Sequence, residues 1–441
     1  MFLETIRITE ILSEMTKMSQ TASKESFDIL VAGAGTAGVC AAIQAARAGA
    51  SVCLVEKNGI PGGTITAAGI AYPGIFHAWG KQVIAGIGWE LVERTRQESR
   101  DPLPNLCDTN LNEHWRYQVQ IDPVIFAALC DEEFEKAGVT VKYHTMIGAA
   151  ETAADGVGLT LCGKDGLYPV FARRVIDCTG DANLSKLLGA ELRTSDPCQP
   201  GTLCVYATGY DPEKLDIDAL RTAFEEAAAR GEVSCEDTGW SNGFNPHFLF
   251  SRGNNSNHIS GINAADSAGR TRIEIAGRAS LLRLYRFLKK QPGLEKLEFK
   301  LNAAECGVRE TRTIVGLETV TAEEYAAGKK YKDAVSHAFY PIDLHDAKVG
   351  LDKRNLAPGI VPTVPRGALI PRNTRHLLAA GRILSSDRLA NSALRVQATC
   401  MATGQAAGAL AALSVRLGVP AEEIPMPELR RLLEANRAIV P

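Results

Sequence analysis

The stretch "ILVAGAGTAGVCAAIQAARAGA", Ile29 to Ala50, decides how this chain is read. An apolar run of strand length, Phe27 to Ala32, ends in glycine. Gly33, Gly35 and Gly38 then follow G-x-G-x-x-G spacing, and small residues continue at helical length. Gly49 stops that helix, "SVCLVE" makes the next strand, and Glu56 closes it. Gly33 permits the tight turn, Gly35 lets a pyrophosphate approach the backbone, and Gly38 lets helix and strand pack closely. Thr36 and Ala37 open the helix, whose free N–H groups and positive dipole end attract phosphate. Glu56, about 20 residues beyond the turn, accepts hydrogen bonds from a ribose diol, and an acid there disfavours a 2′-phosphate. Strand, turn, helix, strand and acid together predict a dinucleotide-binding βαβ unit for NAD or FAD.

The rest of the chain separates these two. After Glu56 and Lys57, a plain NAD domain would continue into another βαβ unit. The sequence instead reads "NGIPGGTITAAGI", where Gly62, Gly63 and Thr64 offer backbone and hydroxyl donors beside an extended cofactor. Another strand-like run ends in Cys178-Thr179-Gly180-Asp181, and a third, "RHLLAAGRILSS", ends in Gly381-Arg382. A late helix of small residues follows. Three strand-to-glycine turns and that helix suit a long, bent dinucleotide such as FAD.

The quoted elements resemble the FAD-dependent oxidoreductases of the glutathione-reductase-like FAD fold, near the fumarate reductase and succinate dehydrogenase branch. Within that fold they are similar to a bacterial group with G-G-x-x-T, A-T-G-D, R-E-[ST]-R-R-I and A-T-C-M-A-x-G-Q-A-A-G elements. Here they read "GGTIT", "CTGDANL", "RETRTI" and "ATCMATGQAAGALAA", and the likeness runs from Phe27 to Val419. Cys178 stands where alanine is usual, and Thr313 replaces the second arginine of the R-R pair. The resemblance implies an α/β chain: a Rossmann-like FAD-binding domain interrupted by an α+β substrate-binding domain. The expected boundaries are a flexible extension over 1–26, an FAD-binding domain over 27–64, 117–199 and 366–441, and a cap over 65–116 and 200–365. It also implies that backbone at Met146 and Ile147 touches adenine.

Composition is that of an ordinary globular protein, with 45% hydrophobic residues, 22% charged residues and a net charge of −3. No basic face points to nucleic acid, and no unbroken apolar run of about 18 residues marks a membrane span. Glu4, Glu10 and Glu14 break any apolar core in the first residues, so no secretory signal is expected. Eleven cysteines without C-x-x-C or metal-ligand spacing read as free thiols in a reducing cytoplasm, with no metal site. No dithiol pair and no second glycine fingerprint accompany the first.

The late helix, "RVQATCMATGQAAG", brings an N-terminus and small residues to a site where a flavin ring takes up negative charge on reduction. Gln397, Thr399, Cys400 and Met401 are therefore the expected ring contacts, and Arg395 is a candidate for flavin or substrate. The alternative is a small-residue helix packed for closeness alone. Arg309 and Arg312, three apart in "GVRETR", offer guanidinium groups for a substrate acid, or ordinary ion pairs with Glu305 or Glu310. His77 and His258 are the leading candidates for proton transfer, each equally compatible with a structural role. His337 and His345 flank Tyr340, which joins the catalytic candidates. The expected activity is hydride transfer between a small polar organic molecule and flavin N5, with a further electron acceptor. A flavin-dependent elimination or isomerisation, or an FAD-binding subunit of a larger redox complex, fits the same residues. Homo-oligomerisation is compatible with either.

Overall fold

The computed structural model describes residues 25–239, 243–346 and 350–441. The expected extension, 1–26, lies outside the described residues except for Glu25 and Ser26, which open the first strand. β1 (Glu25–Ala32) leads through Gly33 into α1 (Thr36–Arg47), and β2 (Val52–Val55) returns beside it. Next come α2 (Ile87–Glu98) and α3 (Pro123–Ala137), then β3 (Thr140–Lys142), β4 (Met146–Thr152), β5 (Val157–Gly163) and β6 (Gly166–Asp177). Among the described residues these strands form one sheet in the order β3-β2-β1-β6-β5-β4. The pairs β3–β2, β2–β1 and β1–β6 are parallel, whereas β4, β5 and β6 make an antiparallel meander.

Parallel strands covered on both faces read as continuous apolar runs, and β1 shows why. Ile29 and Val31 enter the core beneath α1, while Leu30 and Ala32 enter a second layer beneath β5. Every one of them is buried.

Beyond the sheet lie β7 (Leu192–Thr194), β8 (Val205–Thr208), α4 (Ile217–Ala229), α5 (Ser267–Leu288), β9 (Glu298–Leu301) and β10 (Arg312–Ile314). β11 (Ile342–Asp346) pairs antiparallel with β12 (Gly350–Arg354). β13 (Leu377–Ala379) then joins the C-terminal half of β6 in parallel. α6 (Arg388–Leu394) and α7 (Gln397–Leu417) follow, and α7 packs along α1.

α7 explains its small residues by packing. A Cβ on Gly404 would stand 2.1 Å from the Ala37 carbonyl oxygen, and one on Gly408 would stand 2.3 Å from that of Ala41. Glycine at these two positions lets α7 lie directly on α1. α7 is also long and apolar enough to cross a membrane by composition, but 89% of that window is buried inside the protein.

The cores do not follow the expected division into 65–116 plus 200–365. Residues between Leu203 and Val308 form a core of their own around α4 and α5. Ile75, Phe76, Ile87, Val335 and Phe339 instead share the core of α1 and α7. Long-range packing, invisible in local composition, draws these segments onto the layer of α1 and α7.

Candidate functional site

The glycine turn is built as its spacing requires. Gly33 has φ +92°, and a Cβ there would press to 2.7 Å from the Cys178 carbonyl oxygen. A Cβ on Gly38 would fall 1.8 Å from the Gly33 oxygen, so Gly38 serves packing and faces no cavity. Gly35 is different: nothing lies within 4 Å of its Cβ direction, and the residue lines a cleft. Gly62 donates its N–H to Ala34 O (2.7 Å), pinning the second glycine loop to the first.

That cleft, about 810 Å³, is lined by Gly33, Gly35, Thr36 and Ala37 on one side. Glu56, Lys57, Gly63, Thr64, Thr179, Gly180, Gly381, Arg382, Arg395, Gln397 and Cys400 also line it, so it gathers residues from four separate turns. Asn58, Arg270, Glu305 and residues 306–308 also line it, and the sequence does not point to them. Glu305 pairs with Lys57 across the cleft.

Glu56 is only 6% exposed. Its carboxylate accepts the N–H of Ala34 (2.7 Å) and of Asn58 (2.9 Å), so it fastens the glycine turn to the end of β2. Burial raises its pKa, opposed by those two backbone hydrogen bonds.

A second cavity, about 2160 Å³, shares Thr64, Gly307, Val308, Arg382, Arg395 and Gln397 with the first and continues from it. Arg309, Tyr340, Asp343 and His345 converge there. Arg309 donates to Pro200 O (2.7 Å), Thr202 Oγ1 (2.9 Å) and Asn255 Oδ1 (3.1 Å). Burial and the nearby charge of Arg395 pull its pKa down to about 9, which leaves it cationic at pH 7. Arg395 donates to Gln199 Oε1 (3.3 Å) and to the Asp343 carbonyl (3.2 Å).

His345 Nε2 lies 3.0 Å from Asp343 Oδ2. Alternation along β11 puts the two side chains on one face, a signal that "DLHD" carried and the sequence reading did not use. Burial disfavours the Asp343 charge, but the His345 hydrogen bond and the two arginines outweigh it and hold its pKa to about 2. Burial and Arg309 push His345 down instead, so its imidazole is neutral at pH 7. Tyr340 Oη accepts a hydrogen bond from Gln118 Nε2 (2.8 Å), and burial pushes its pKa well up.

Several expected residues stand outside both cavities. His77 packs edge-on against Trp89 of α2, with ring centroids 5.5 Å apart. His258 lies behind His345, with centroids 6.0 Å apart, where burial drives its pKa down to about 2. Met146, 57% exposed, begins the antiparallel meander directly after Thr145, whose N–H donates to the Glu56 carbonyl (3.0 Å). Thr399 and Met401 point into the core from α7, Met401 occupying the space over Gly88. Asp181 turns away to pair with Arg382 (2.7 Å) and to accept Thr311 Oγ1 (3.0 Å).

The arrangement fits a bound dinucleotide on its own terms. α1 begins without a side-chain cap or an acid in its first turn, so its N–H groups and dipole are open to a pyrophosphate. At the other end, Arg395 Nε and Gln397 Oε1 are buried without a hydrogen-bond partner among the described residues. Buried polar atoms in this state are expected to meet a ligand or water.

Residues 28–433 match the FAD dependent oxidoreductase family, and the chain belongs to it. It is an oxidoreductase whose cofactor is FAD. No curated protein matches the sequence. Among solved structures, anhydrotetracycline hydroxylase OxyS from Streptomyces rimosus is 15% identical, with 93% of this chain and 66% of OxyS covered and a TM-score of 0.44. The p-nitrophenol 4-monooxygenase PnpA from Pseudomonas putida DLL-E4 is 11% identical, with 94% and 85% covered and a TM-score of 0.41. AlpK is 17% identical at a TM-score of 0.29; the match covers 42% of this chain and spans only 38% of AlpK.

Proposed function

We propose that this flavoenzyme moves a hydride between FAD and a small anionic organic molecule held in the second cavity. The observation that carries this reading is the convergence of Arg309, Arg395, Tyr340 and the Asp343–His345 pair in a cavity continuous with the dinucleotide cleft. Bound FAD supplies the hydride carrier. The glycine turn, Glu56 and Thr64 hold the cofactor, and the N-terminus of α7 with Gln397 offers donors to its ring. Two guanidinium groups in a partly dry cavity favour a carboxylate or similar anion. His345, neutral and oriented by Asp343, takes a substrate proton as hydride leaves, or returns one in the reverse direction. Tyr340 orients the same substrate through its hydroxyl. His345 thus replaces His258 as the proton acceptor.

The test is an anaerobic screen of small organic acids and hydroxy acids against purified protein, read by the visible flavin band. Bleaching by a carboxylate-bearing compound, slowed in His345→Ala, supports the proposal. Turnover without bleaching would instead mean a reaction with no net redox change.

A further inference from the structure

A chain of hydrogen bonds runs from a half-buried lysine to the wall of the second cavity. Lys353, on β12, donates from Nζ to the Leu111 carbonyl (3.2 Å) and stands 3.0 Å from His114 Nδ1. His114 Nε2 lies 3.2 Å from Tyr340 Oη, and Gln118 Nε2 donates to the same hydroxyl at 2.8 Å. His114, Gln118 and Tyr340 line the cavity together with Arg309, Arg395 and His345.

The two ends of the chain set the direction of each bond. A lysine ammonium has only donors, so His114 Nδ1 must offer it a lone pair. Burial lowers the Lys353 pKa and the Asp343 charge opposes it, while the Trp115 ring, 5.7 Å from Nζ, also suits a cation. Burial and the Lys353 charge push the His114 pKa down to about 4, so the ring is neutral at pH 7 and carries one proton. That proton stands on Nε2 and is donated to Tyr340 Oη. The Leu111 carbonyl is the competing acceptor for an Nδ1 proton, but Lys353 already donates to it. Tyr340 Oη thus accepts twice, and among the described residues no atom accepts its own O–H. Tyr340 is only 9% exposed, and burial keeps its phenol protonated.

We propose that Lys353 and His114 are positioning residues for Tyr340, whose hydroxyl they aim into the cavity as a fixed donor to a substrate oxygen. On the hydride transfer proposed above, that oxygen is either on the reacting carbon or in the carboxylate that the arginines favour. An apolar group placed there leaves a buried O–H unanswered, so the donor selects for oxygen.

The chain is read on FAD-loaded protein by nitrogen-15 NMR of histidine-labelled samples, with His114→Gln identifying the His114 signals. At pH 7 the proton is expected on Nε2 in wild type, and on Nδ1 or shared between the two in Lys353→Met. An Nδ1 proton in wild type, or a tautomer that ignores Lys353→Met, overturns the proposal. Lys353 lies outside the hydrophobic cores, so this variant carries the test even if Tyr340→Phe does not fold. The donor is read by stopped-flow bleaching with the acid found in the screen. Tyr340→Phe should slow it about tenfold or more and Lys353→Met about threefold or more, with Lys353→Arg, which also only donates, restoring most of the rate. A rate in Tyr340→Phe within about threefold of wild type overturns the donor role. Competitive inhibition by the analogue without oxygen on the reacting carbon separates the two oxygens. Inhibition unchanged in Tyr340→Phe places the contact on that carbon, and inhibition weakened as much as substrate places it on the carboxylate. Absence of bleaching by any acid overturns the hydride-transfer reading instead, and the His114 tautomer still decides the chain.

Discussion

Removing Glu56 should harm the protein twice. Its carboxylate accepts two buried backbone N–H groups, Ala34 at 2.7 Å and Asn58 at 2.9 Å. Glu56→Ala leaves both donors without an acceptor, at about 1–3 kcal/mol each, so the apoprotein should lose roughly 2–6 kcal/mol. Water entering the space left by the side chain brings the loss toward the lower end. The proposed ribose contact would be a separate, charge-assisted interaction of about 1.5–3 kcal/mol, equal to roughly 10- to 150-fold in the FAD dissociation constant. Glu56→Gln keeps one acceptor oxygen but turns an amide N–H₂ toward the other backbone donor, so it should fall between wild type and Glu56→Ala in both respects. Urea unfolding of the apoproteins reads the first effect, and FAD titration followed by flavin fluorescence reads the second. Apoprotein stability within about 0.5 kcal/mol of wild type, together with FAD affinity within about twofold, would refute both roles.

Arg309→Lys keeps a charge but loses the three-way fork to Pro200, Thr202 and Asn255. It should retain its flavin while stopped-flow bleaching by a reducing substrate slows about tenfold or more; a rate within about threefold of wild type contradicts the substrate role. Burial raises the thiol pKa of Cys178 and Cys400, both in the cleft wall, while Cys107 and Cys162 are exposed. A thiol reagent should label Cys107 and Cys162 first in native protein, and prior labelling of Cys178 or Cys400 would contradict this burial. Folding holds His258 and His345 neutral, whereas in the unfolded chain each binds a proton below about pH 6.5. The unfolded state then carries more protons, so stability is intact above that pH and falls as pH drops. From pH 7 to 5 the loss is about 2 kcal/mol per histidine, measured by urea unfolding, and a flat profile would show that they are not held neutral.

Legibility in the sequence followed the range of the interactions. The βαβ unit was readable because its constraints are local: Gly33 needs positive φ and Gly38 meets the Gly33 oxygen five residues away. Gly381 and Thr179 were readable for the same reason, each ending a strand of the sheet. Arg270 and residues 306–308 were not, because they reach the cleft only through the packing of α5 and its neighbours onto the nucleotide-binding layer. Thr399 and Met401 share a helix start with Gln397 and Cys400, and only the rotation of α7 on α1 decides which side chains face the cleft. Only residue type and loop context single out His77 and His258 in the sequence, and these say nothing about direction. Asp343 and His345 were within reach, since a two-residue spacing on a strand fixes a shared face.

The central claim is that one FAD lies along the cleft that starts at the α1 glycine turn. Its most direct measurement is equilibrium titration of FAD into apoprotein, for wild type and Gly35→Val in parallel. Gly35 lines the cleft and its Cβ direction meets no protein atom within 4 Å, so valine there fits the fold and fills ligand space. The account predicts one FAD per wild-type chain and no saturable binding to a folded Gly35→Val protein. Wild-type affinity and stoichiometry in Gly35→Val would contradict it.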